Sequence, residues 1–102
     1  MTHPRKSLDD VVHSPVRFSV MAALAAVDQA GFQSVRTTVE ISESALSKQV
    51  SVLESAGYVA VHKVFVGKRP RTYLALTQEG RDAFQHHLEA LRAIVDGPPA
   101  SG

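Results

Sequence analysis

The stretch from Val35 to Tyr58, VRTTVEISESALSKQVSVLESAGY, leaves this chain few ways to fold. It reads as two short helices joined by a tight turn at Glu40-Ile41-Ser42. Phe32, Val35 and Val39 recur at helical spacing in the first. In the second, Leu46, Val50 and Leu53 fall at i, i+4 and i+7, so one stripe is apolar and faces a core. Ser42 is placed to cap that helix, Glu43 suits its positive end, and Gly57 suits the position just past its end. Ser44, Ser47, Lys48 and Ser51 form another stripe, at i, i+3, i+4 and i+7. That stripe is small, polar and carries a single charge, whereas a solvated helix face ordinarily mixes Glu with Lys. Short polar side chains with one cation suit a helix that lies against something rigid and anionic, such as a DNA groove. A surface helix that happens to be serine-rich is the plainer alternative, and this stretch alone does not separate the two.

After Gly57 the apolar period drops from helical to two. Val59 and Val61 point one way, Ala60, His62 and Val64 the other, which marks a strand. Gly67-Lys68-Arg69-Pro70 reads as a turn and Arg71–Leu76 as a second strand. Pairing the two gives a β-hairpin with Lys68 and Arg69 at its tip. Lys63, Lys68, Arg69 and Arg71 fall between Tyr58 and Thr77, and no Asp or Glu does. The formal net charge of the chain is only +1, so this cationic segment can meet a polyanion locally without making the whole protein adhesive.

The flanks complete a small domain of 102 residues with 44% hydrophobic content, the size of one compact core. Residues 1–7 have no periodicity and read as a flexible arm whose Arg5 and Lys6 are solvated or touch phosphates. Leu8–His13 reads as a helical turn offering Val11 and Val12 for packing. Ser14-Pro15 starts a helix expected to run to about Gln29. Phe18, Met21, Leu24 and Ala25 form one apolar face of it, and Val16, Val20, Ala23 and Val27 another. A helix apolar on most of its circumference is buried on several sides and suits a shared subunit interface. Arg17, its early charge, has Asp9 or Asp10 as expected partner. Thr77 caps a last helix whose Phe84, Leu88, Leu91 and Val95 form an apolar stripe ending at Pro98-Pro99. The core domain is expected over 8–96, with a disordered tail over 97–102.

Several function classes fall away. The longest apolar run, Val20–Val27, is too short to span a bilayer. Acids follow Arg5 and Lys6 where a secretory signal needs an apolar segment, so the expected location is cytoplasmic. With no cysteine there is no disulfide, thiolate metal site or cysteine redox sensor. No nucleophile–base pair, phosphate loop or metal motif appears, so no enzyme, cofactor or catalytic residue is expected. His86 and Glu89 have i, i+3 spacing beside His87 and Asp82, but a solvated face explains them better than a metal site. His13 and His62 read as packed or solvated.

Helix, helix, turn, helix, strand, strand, helix is the order of a winged helix-turn-helix, a mainly α fold with a small β-hairpin. In such a layout the second helix of the motif enters a major groove. Ser42, Glu43, Ser44, Ser47, Lys48 and Ser51 are its candidate contacts, with Glu43 a possible acceptor for a cytosine amine. Lys68, Arg69 and Arg71 neutralise phosphates or read a narrow minor groove. Arg36, Thr37 and Thr38 can bond phosphates and fix register. Val16, Val20, Phe84, Leu88, Leu91 and Val95 are the candidate dimer surface.

The segments LDDVVHSPVRFSVMAAL, ISESALSKQVSVLESAGYVAVHK and FVGKRPRTYLALTQEGRDAF carry a resemblance covering Leu8–Leu91. The chain resembles winged helix-turn-helix transcriptional regulators of the MarR and ArsR type, and more closely their small single-domain members. The resemblance implies sequence-specific binding to double-stranded DNA as a homodimer, usually as a repressor. It matches Ser44, Ser47 and Lys48 to groove-facing positions and Lys68, Arg69 and Arg71 to the wing. Full-length MarR proteins have longer terminal helices that build the dimer and an effector pocket, so no small-molecule effector is carried over. One alternative stays open, a winged-helix protein–protein module without specific DNA binding.

Overall fold

The computed structural model describes residues 3–97. Met1 and Thr2 of the expected arm, and the expected Pro98-Pro99 stop with the tail beyond it, lie outside the described residues. The elements are α1 (Pro15–Ala25), β1 (Ala30–Gly31), α2 (Phe32–Val39), α3 (Glu43–Ser55), β2 (Val59–Val66), β3 (Arg69–Leu76) and α4 (Gln78–Val95). The sheet is antiparallel with order β1-β3-β2. This is a winged helix, with α2 and α3 as the helix-turn-helix and β2–β3 as the wing.

The core joins all these elements. Val20, Met21 and Leu24 of α1, Val35 of α2, Leu46, Val50 and Leu53 of α3, and Val59, Leu74 and Leu76 of the hairpin base are buried together. Val12, ahead of α1, joins them, and Val11 packs at the edge. The caps follow the expected chemistry. Ser14, Ser42 and Thr77 side chains accept from the backbone N–H groups of Arg17, Ala45 and Gly80, satisfying donors that have no partner within the helix. Gly57 takes φ +83° after α3, as a C′ glycine should. Gly80 has a packing role. A Cβ there would sit 2.0 Å from the Tyr58 carbonyl oxygen, the same oxygen that accepts from the Thr77 N–H. The first turn of α4 therefore rests directly on the backbone entering β2.

Five expectations need correction. First, α1 ends at Ala25 rather than near Gln29. The following residues turn so that Ala30 and Gly31 can pair with Leu74 and Tyr73. Arg81 of α4 donates to the carbonyls of Ala25 and Val27, at 3.4 and 3.1 Å, which supplies the partners that more helix would have provided. Second, the wing turn is shorter and its strands longer. Val66 pairs with Arg69 across a two-residue turn, with Gly67 at φ +66° and no positive φ at Lys68, a type II′ geometry. Third, Arg17 bonds no carboxylate. It donates to the backbone carbonyls of Val11 and Asp10 and to the Gln49 side chain, tying the segment before α1 to α3. Fourth, Pro4–Ser7 within the expected arm forms a single 3-10 turn beside α4. Fifth, Val20 is fully buried in the chain's own core and offers no surface to a partner.

Candidate nucleic-acid interface

The apolar stripe of α3 fixes the helix's rotation, and its opposite side faces out. Ser42, Glu43, Ser44, Ser47, Lys48 and Ser51 are all exposed. Ser42 is partly committed to structure, since its oxygen accepts from Ala45 N–H and lies 3.3 Å from Ser44 Oγ. The Ser51 hydroxyl donates to the Ser47 carbonyl at 3.1 Å. It still offers its oxygen as an acceptor.

Between α3 and the wing lies an open cleft of about 640 Å³. Glu43, Ser47, Ser51 and Glu54 line it from α3, and Lys63, Pro70, Arg71 and Thr72 from the wing. Ser44 and Lys48 lie outside it, so the polar stripe spans the crest of the helix and its wing-facing flank. Lys63 is the residue that sequence reasoning passed over as a site candidate. In the ladder it pairs with Thr72, one step from Val61 and Leu74 on the cleft side of the pleat. The signal was available, because the alternation of Val59, Val61 and Lys63 places Lys63 on the core-facing side beyond the point where the core ends.

Lys68 occupies the turn, and Arg69 and Arg71 pair with Val66 and Val64. Every residue from His62 to Arg71 is exposed, so the outer wing stands clear of the body. On α2, Arg36 donates from Nε to Gln33, and the Thr37 and Thr38 hydroxyls donate to the Gln33 and Ser34 carbonyls. These bonds steady the α2 side chains along their own helix, and Arg36 still carries the donors of its two Nη groups.

A second polar group gathers where α4 meets the segment before α1. His87 of α4 is only 1% exposed, which corrects the expectation of a solvated face at that residue, while Asp82, His86 and Glu89 are exposed as expected. Asp9 N–H donates to His87 Nδ1 at 3.4 Å, and His87 Nε2 lies 3.4 Å from His13 Nδ1. Burial, with the neighbouring His13, pushes the His87 pKa below its ordinary value. Tyr58 donates to Asp9 Oδ2 at 2.5 Å. That bond, with burial, raises the phenol to about 12. Burial pushes the Asp9 carboxyl up, but the bonds from Tyr58 and from the Val11 and Val12 N–H groups outweigh it and leave the pKa below its ordinary value. His13, His87, Phe18 and Leu91 border a hollow of about 200 Å³ there. Among the described residues no group of three His, Cys, Asp or Glu could hold a metal ion. Nor is any helix among them long and apolar enough to cross a membrane.

Of the expected dimer surface, Phe84 packs on the core with its ring 5.4 Å from Phe18. Val16, Leu88 and Leu91 are half-buried, and Val95 is 82% exposed.

Comparison with known proteins agrees with this geometry. The family model described as a winged helix DNA-binding domain matches residues 16–95. An uncharacterized protein of Methanocaldococcus jannaschii is 24% identical over 78 residues, covering 76% of this chain and 85% of that protein. The structure of a transcriptional regulator homologue from Pyrococcus horikoshii superposes with a TM-score of 0.86 at 28% identity, over 95% of this chain and 97% of that one. A MarR family transcriptional regulator from Streptomyces coelicolor, solved in complex with DNA, shares the fold with a TM-score of 0.68 at 23% identity, over 95% of this chain and 68% of that one. The chain thus belongs to the winged helix DNA-binding domain family, with the fold of the MarR-type transcriptional regulators.

Proposed function

We propose that this protein is a sequence-specific transcriptional regulator that acts as a repressor and binds a pseudo-palindromic operator as a homodimer. The observation that carries the reading is one continuous surface. Ser47 and Ser51 on the flank of α3, with Glu43 and Glu54, and Lys63 and Arg71 of the acid-free cationic wing line the same cleft. In this reading α3 enters a major groove. Ser44, Ser47 and Lys48 meet base edges, Ser51 lies behind them, and Glu43 accepts from a cytosine amine. Lys63, Lys68, Arg69 and Arg71 meet phosphates beside it. Ser42 shapes the entry of α3, and Arg36 and Thr37 meet phosphates from the helix that crosses the backbone.

The dimer half of the proposal rests on α4. Its half-buried Leu88 and Leu91 and exposed Val95 continue an apolar stripe past the end of the core, with Val16 nearby in α1. A second copy packed there would present two α3 helices to one face of a duplex, and half-sites roughly 34 Å apart would follow from two-fold symmetry. Glu43 and Glu54 in the cleft favour a different reading, a docking module for a basic protein segment, because acids weaken attraction to phosphate. A salt titration separates the two. DNA binding should fall steeply with salt, with a log–log slope of about −0.9 per neutralised phosphate. Weak binding with no sequence preference at any salt concentration would favour the docking module.

A further inference from the structure

The outer wing carries an apolar feature that phosphate contacts do not explain. Phe65 is 76% exposed and Val66 56% exposed. Neither belongs to the core or packs against it. Phe65 is paired directly with Pro70, so the two rings share one side of the ribbon. The pleat decides which side. Phe65 and Pro70 alternate with residues of the outer face and share their face with Lys63 and Thr72, and Pro70, Lys63 and Thr72 line the cleft opposite Ser47 and Ser51. The exposed phenyl ring therefore points toward the side on which α3 presents its polar crest. Cations flank it, with Lys68 in the turn and Arg69 beyond, and no acid lies anywhere in the hairpin. A bare apolar hairpin end invites edge association unless a partner covers it. Its charge surroundings select a polyanion rather than a lipid-like or acidic-poor protein surface.

We propose that Phe65, backed by Pro70, is an apolar wedge that enters the minor groove next to the major-groove site of α3 and partly unstacks one base step. The inference rests on the reading that this protein binds duplex DNA. Phe and Pro are among the side chains that wedge between base steps from the minor groove and kink the duplex toward the major groove. A kink in that direction would close the duplex around α3 and the wing together. Pyrimidine–purine steps such as TA unstack most readily, so the wedge adds a sequence preference at a position where no hydrogen bond reads a base. Lys68 and Arg69 then hold the backbone on either side of the opened step.

The test uses the full chain and two short duplexes labelled with a fluorescent adenine analogue that stacking quenches. One duplex carries repeated TA steps and the other is an A-tract. The wild-type protein should brighten the TA duplex on binding and prefer it to the A-tract. Phe65→Ala should still bind both duplexes, with the fluorescence rise lost and the preference reduced on the order of tenfold. Phe65→Leu should retain part of both effects. Lys68→Ala should weaken binding to both duplexes while leaving the brightness of each bound complex unchanged. Wild-type binding without brightening, or an undiminished rise with Phe65→Ala, overturns the wedge while leaving DNA binding intact. If Phe65→Ala instead abolishes self-association in sedimentation, the ring serves a second copy of the chain and the wedge is also overturned. A wild-type chain that binds neither duplex at low salt removes the wedge together with the reading beneath it.

Discussion

The two ends of the β2–β3 hairpin are built by different rules. At its base, Val59, Leu74 and Leu76 are buried among the helices, and the start of α4 rests on the Tyr58 carbonyl. Toward its tip the same two strands are exposed from His62 to Arg71, and ladder pairing carries them out to the Gly67-Lys68 turn. Packing therefore fixes the base, and the tip is free to carry charge and exposed aromatic surface at little cost to the fold. α3 combines both rules in one element. Its inner stripe anchors it, and its outer stripe stays available for a partner.

This contrast can be broken first at the base. Gly80→Ala drives a methyl group into the Tyr58 carbonyl and should destabilise the fold by about 3 kcal/mol or more. Leu74→Ala leaves a cavity in the core and should cost about 2–5 kcal/mol. Both are read by denaturant or thermal unfolding. Equally large losses from Lys68→Ala or Phe65→Ala would show that the tip is structural after all. The outer stripe of α3 comes next. Ser47→Ala or Lys48→Ala should leave unfolding nearly unchanged and alter base preference by about 1–3 kcal/mol at the contacted position, measured against a panel of single-base operator variants. Equal losses on specific and random DNA would reduce these residues to positioning. At the tip, Lys68→Ala and Arg69→Ala should weaken binding to all sequences and flatten the salt slope by about one per lost phosphate contact.

The smallest effect concerns pH and the polar group around His87 and Tyr58. The folded state holds His87 below its ordinary pKa, so the unfolded chain takes up that proton more readily. Stability from this source is complete above the unfolded value near 6.5 and declines as the pH falls below it. Tyr58 works in the opposite direction, since its raised pKa costs stability as the pH rises from 10 toward 12. Melting temperatures measured from neutral to mildly acidic pH should fall for the wild type and fall less for His87→Gln.

What the sequence disclosed and what it concealed divide along the same physical line. Features set by near neighbours were legible. The inner and outer stripes of α3, the caps at Ser14, Ser42 and Thr77, the Gly57 stop and the existence of a basic hairpin all follow from spacing and local chemistry. Features set by distant pairing were not. β1 is two residues long and exists only because Leu74 and Tyr73 accept it as a partner. The end of α1 depends on Arg81, more than fifty positions away. The wing strands run longer than their spacing suggests because Phe65, Val66, Arg69 and Pro70 extend a ladder beyond any core. The His13–His87 contact joins residues 74 positions apart, and no local pattern announces it. At the site itself, Glu43, Ser47 and Ser51 of α3 and Arg71 of the wing line one cleft, while Ser44 and Lys48 lie outside it. Lys63 was passed over because its face is defined by the pleat rather than by a charge cluster.

The central claim is sequence-specific binding to duplex DNA, and selection of bound sequences from a random duplex pool at near-physiological salt tests it most directly. The account predicts enrichment of an inverted repeat whose half-sites lie about one helical turn apart. A pool that stays random after repeated rounds, with only weak and salt-sensitive retention, would contradict it.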